Sequence, residues 1–110
     1  MNTKETLLKV LENTEELDMN YYFSSWEECG CLAENFIRQY YPELIVQDGN
    51  ANDIIKTVIP LFPEKDRQAL IDIFGVLTGD RQTTWYEDRF NKPLSAISKN
   101  NVQQAIEELL

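Results

Sequence analysis

A chain of 110 residues with 43% hydrophobic content suits one compact domain spanning residues 1–110, with a single core and no room for a second. Nineteen acids against ten basic residues give a formal net charge of −9, a field that repels phosphate backbones, so direct nucleic-acid binding is not expected. The absence of histidine removes Ser-His and Cys-His nucleophile pairs, histidine-ligated zinc and the Glu-x-x-His of di-iron bundles.

The N-terminal stretch MNTKETLLKVLENTEELD interrupts its leucines with charges every few positions. It matches neither a signal peptide nor a membrane span, and a cytoplasmic protein without membrane contact is expected. Over residues 4–17 the spacing predicts a helix, with Leu7, Leu8, Val10, Leu11 and Leu17 on one face. A second helix, Ser25 to Tyr40, is marked by a capping box at Ser24 and Glu27 and by Trp26, Cys29, Ala33, Phe36, Ile37 and Tyr40 at helical steps. Cys29 and Cys31 point in different directions on that helix and form no CxxC, so free thiols are expected. Leu44, Ile45 and Val46 read as a short extended linker.

Next comes QDGNANDII, where Asp48, Asn50 and Asn52 stand two apart like the ligands of a calcium loop. Counted from Asp48, position six is Asp53 instead of glycine and position twelve is Ile59 instead of glutamate, so a calcium site is not supported. Asp48-Gly49 is a turn dipeptide, and Asn52 or Asp53 is the expected cap of a third helix near Asp53 to Leu61, ended or kinked by Pro60. Pro63 suits the first turn of a fourth helix carrying Leu70, Ile73, Phe74 and Leu77, with a stop at Thr78-Gly79. Asp80 is the expected cap of a fifth helix through Trp85, Tyr86 and Phe90, closed by Asn91-Lys92-Pro93. A last helix runs from about Asn101 to Leu110, with Val102, Ala105, Ile106 and Leu109 inward. The expected fold is all-α, a small bundle of five or six helices.

Charge is the most informative feature. Residues 10–55 hold ten acids against one base, Arg38, and the rest of the chain balances. With no base between Lys9 and Arg38, these carboxylates are not neutralised by i, i+4 pairs within their own helices. Tyr21, Tyr22, Phe23 and Trp26 lie among them, and aromatic anchors ringed by like charge suit a surface that binds a basic partner. The candidate partner-binding residues are therefore Glu12, Glu15, Glu16, Asp18, Tyr22, Trp26, Glu27, Glu28 and Glu34. A second candidate patch is Trp85, Tyr86, Glu87 and Asp88, although Arg89 over Trp85 at i+4 would make that cluster a packing unit of its own.

Glu12, Glu15 and Asp18 at three-residue spacing resemble the acidic pairs of helical magnesium-dependent nucleotide pyrophosphatases. Such sites also need facing acidic pairs and bases for the substrate phosphates, and only Arg38 is near. No catalysis, metal or cofactor is expected. The leading expectation is a stoichiometric binder or inhibitor of a basic protein, a nuclease or another nucleic-acid-handling protein, of the same physical type as toxin-immunity proteins and DNA mimics. The alternative is a helical adaptor or regulatory subunit whose aromatics are covered by a fixed partner or by a second copy in a homodimer.

Overall fold

The computed structural model describes residues 2–13, 32–44 and 51–110. These residues form six α-helices and several short 3-10 turns, and no strand occurs among them. The fold is the all-α bundle that the hydrophobic periodicity predicts.

Helix α1 is Thr3–Glu12. The Asn2 side chain accepts from the Glu5 N–H at 2.8 Å, satisfying one orphan donor of the first turn. Leu7, Val10 and Leu11 are buried, and the helix packs against α2, Leu32–Tyr40, and α6, Lys99–Leu109. Of the expected 4–17, the described residues show helix through Glu12. Asn13 closes it, its N–H bonded to the carbonyls of Leu11 and Lys9, in keeping with the preference of asparagine for caps over helix interiors. Residues 14–17, the Ser24 and Glu27 box, Cys29, Cys31 and Asp48-Gly49 lie outside the described residues.

Helix α3 is Ala51–Val58, so Asn52 and Asp53 fall inside its first turn and not ahead of it. Pro60 acts as expected. The α-helix gives way to a 3-10 turn at Ile59–Leu61, because proline has no N–H to continue the ladder. Pro63 introduces a further 3-10 turn, Glu64–Asp66, and α4 follows only at Arg67–Ile73.

The stop of α4 is Gly75, not Gly79. Gly75 takes φ 73°, donates to the Asp72 carbonyl at 3.2 Å, and lets Val76 donate to the Ile71 carbonyl at 3.1 Å. This double closure needs a left-handed residue, which glycine supplies without a Cβ clash. Leu77 therefore lies beyond the helix and is 51% exposed, not part of the core.

Helix α5, Trp85–Phe90, is capped by Thr84 and not by Asp80. Thr84 Oγ1 accepts from the Glu87 N–H at 3.3 Å while the Glu87 carboxylate accepts from the Thr84 N–H. The T-x-x-E box overrides the aspartate four residues upstream. Asn91, left-handed at φ 54°, ends the helix ahead of Pro93 as the sequence suggests. Helix α6 begins two residues earlier than expected, because Ser98 and Asn101 cap it reciprocally. Its Val102, Ala105 and Ile106 are fully buried.

The buried residues form one contiguous cluster in which Leu7, Leu32, Val58, Leu70, Ile97 and Ile106 are almost wholly inaccessible. No helix among the described residues is long and apolar enough to cross a membrane.

Candidate functional site

Of the acidic candidates, the structure places Glu12 at the C-terminal end of α1, exposed, where it faces the negative pole of the helix dipole with Lys9 in the same turn. Glu34 lies on α2. Glu15, Glu16, Asp18, Tyr22, Trp26, Glu27 and Glu28 lie outside the described residues.

The second candidate patch is resolved side chain by side chain. Trp85 is half-buried, its ring edge-on to Tyr86 at 5.3 Å and to Phe90 at 5.7 Å. Tyr86 has no exposed surface, and its hydroxyl donates to the Ile73 carbonyl at 2.6 Å. Burial, and after it the charge of Asp72, pushes the Tyr86 phenol far above the ordinary tyrosine range. Glu87 is committed to the Thr84 cap. Tyr86 thus belongs to the core, Trp85 and Glu87 are half-buried, and of the four Asp88 alone is exposed. Arg89 does not lie over Trp85: it sits 5.2 Å from the Phe90 centroid and forms two hydrogen bonds with Glu108, at 2.9 and 3.2 Å.

Asp72, Arg81 and Asp88 form a triad that local sequence patterns do not reveal. Asp72 is buried on α4, an expensive place for a carboxylate without a partner. Arg81 reaches it with Nη1 at 2.8 Å and spans to Asp88 on α5 with Nη2 at 3.3 Å. Its guanidinium therefore braces the loop between the two helices. Both this arginine and Arg89 are engaged by acids of the C-terminal half.

The Thr83 hydroxyl, donating to Asp88 at 2.6 Å, and after it Arg81, hold the Asp88 carboxyl below its ordinary value of 3.8. A folded-state value lower than the unfolded one stabilises the fold above the ordinary value, and that contribution is lost as pH falls through the folded one. An NMR titration of Asp88 is expected to show a midpoint below 3.8 that moves up in Thr83→Val. An unmoved midpoint in that variant would assign the shift to Arg81 alone.

A feature absent from the sequence reading is a hollow of about 530 Å³ between the start of α1, the end of α2 and the 61–66 segment. Its floor is aromatic. Phe36, only 3% exposed, lies 5.5 Å from Tyr40, 5.6 Å from Tyr41 and 4.7 Å from Phe62, centroid to centroid. Thr3 Oγ1 donates to Asp66 at 2.6 Å and ties α1 to the opposite wall. The helical spacing of Phe36 and Tyr40 marks both as inward-facing, yet Tyr40 is 37% exposed because α2 ends there. No sequence signal separates that last-turn aromatic from the core.

No protein-family model, curated protein or solved structure matches the chain.

Proposed function

We propose that this chain is an acidic binding protein that neutralises a basic partner, a nuclease toxin or another nucleic-acid-handling protein, by charge-complementary stoichiometric docking. The observation that carries the reading is the segregation of charge: ten acids against one base over residues 10–55, in a chain whose remainder is balanced. The engagement of Arg81 and Arg89 by Asp72, Asp88 and Glu108 adds support, since those two arginines are taken up within the C-terminal half. Clustered carboxylates accelerate encounter with a cationic cleft, and the aromatics among them, Tyr22 and Trp26, supply anchors.

The test is to purify the tagged chain from its native cell, identify the stoichiometric partner and measure the dissociation constant against salt. A partner with an isoelectric point above about 9 is expected. The complex should weaken about tenfold or more between ~50 and ~500 mM salt, as the screening length contracts to a few ångströms. A neutral or acidic partner, or an affinity indifferent to salt, overturns the reading in favour of an adaptor held by an apolar interface.

A further inference from the structure

The segment from Ile59 to Arg67 separates two hollows that share Phe62 as a wall. On one side is the aromatic-floored hollow described above. On the other is a hollow of about 370 Å³ against Ile59 and Pro60. Tyr40 and Leu61 are more than a third exposed beside the first, so apolar surface is open to solvent along this face.

The charge at the rim runs against that of the chain. Lys4 and Lys65 border the first hollow, Lys56 and Arg67 the second. Two acids stand among them, Glu64 and Asp66, and Asp66 already accepts from Thr3. Among the described residues none of the four bases forms an ion pair. A locally cationic face with exposed apolar side chains, on a chain of net charge −9, is a departure from its general field.

We infer that this face docks an acidic peptide segment of a partner protein, which places one aromatic or branched aliphatic side chain in each hollow and sets its carboxylates on Lys4, Lys56, Lys65 and Arg67. Nucleic acid is the poorer match. A polyanion long enough to track the rim meets the net negative field of the whole molecule, whereas a short peptide senses charges only within about 10 Å. Hollows with an apolar floor and a polar, charged rim are also the usual form of peptide-anchoring sites, with the floor giving affinity and the rim giving orientation. The face is built from residues other than the acidic candidates, so this inference and the neutralising role stand or fall separately.

The test begins with selection from a random-peptide display library on the immobilised full-length protein. Selected peptides are expected to be enriched in Asp and Glu with Phe, Trp, Leu or Ile between them. The most enriched peptide, synthesised with a fluorescent label, is then titrated by anisotropy against the wild type and the double variant Lys65→Glu, Arg67→Glu. Exposed side chains carry these changes, and a glutamate at the start of α4 suits the helix dipole, so the circular dichroism spectrum should be unchanged. A loss of affinity of about tenfold or more is expected in the double variant, with a slope against salt shallower than that of the wild type. Selection of basic or neutral peptides, or equal affinity for the two proteins, overturns the inference. So does concentration-dependent self-association that the double variant abolishes, which assigns the face to a second copy. Single-stranded oligonucleotide binding lost in the variant assigns it to nucleic acid and overturns it equally.

Discussion

Tyr86→Ala is expected to lower the unfolding free energy by about 3–5 kcal/mol, and Tyr86→Phe by about 1–3 kcal/mol. The two figures separate two contributions of one side chain. The ring is fully buried and packed against Trp85 and Phe90, so its removal leaves a cavity that the surrounding helices fill only in part. The hydroxyl donates to the Ile73 carbonyl, which sits in the last turn of α4 where no later helical N–H reaches it. Phenylalanine keeps the ring and leaves that carbonyl without its donor in a dry environment. Urea denaturation of the three proteins measures both terms. A phenylalanine variant as stable as the wild type would show that the carbonyl finds another donor, and that Tyr86 is chosen for its bulk alone.

The fourfold reversal Glu15→Lys, Glu16→Lys, Glu27→Lys, Glu28→Lys is expected to weaken the complex with the basic partner by at least about a hundredfold while leaving the fold in place. The substitutions move the formal net charge from −9 to −1. Like-charge contacts across an interface cost several kcal/mol, and the long-range attraction that steers encounter disappears with the acids. In the isolated protein the same change relieves repulsion, since residues 10–37 contain no base at all. Thermal unfolding midpoint and partner affinity should therefore move independently, the first level or upward and the second steeply down. Retained binding in the fourfold variant removes the charge-complementary reading.

The helices were legible where one signal governed them. The apolar spacing of Leu70, Ile73 and Phe74, and of Val102, Ala105 and Ile106, marks residues that the fold buries. Pro60 ends an α-helix, and Asn91 with Pro93 ends another, because the absence of a donor and the tolerance of left-handed backbone act locally. Competing signals of the same kind were harder to rank. Gly75 and Gly79 both take positive φ, and the closing hydrogen bonds of Gly75 and Val76, with the burial of Phe74 against the exposure of Leu77, tell which one closes α4. Thr84 prevails over Asp80 because Glu87 completes a reciprocal cap that an isolated aspartate does not have.

The Asp72–Arg81–Asp88 brace and the hollow floored by Phe36 were not legible at all. The first links positions nine and seven residues apart across a loop. The second gathers side chains from the beginning of α1, the end of α2 and the 61–66 segment. Neither follows from periodicity along one element, because each is made by where the elements meet.

Phe36 belongs at once to the protein's interior and to the underside of the hollow beside α1. A lineage descended from this chain therefore has unequal freedom across that face. Mutations of Phe36 are filtered by whether the molecule still folds, whereas Lys4, Lys56, Lys65 and Arg67 vary almost without such a filter. Divergence in what the face recognises is thus channelled into the sign and placement of charge, with the shape of the cleft inherited nearly unchanged.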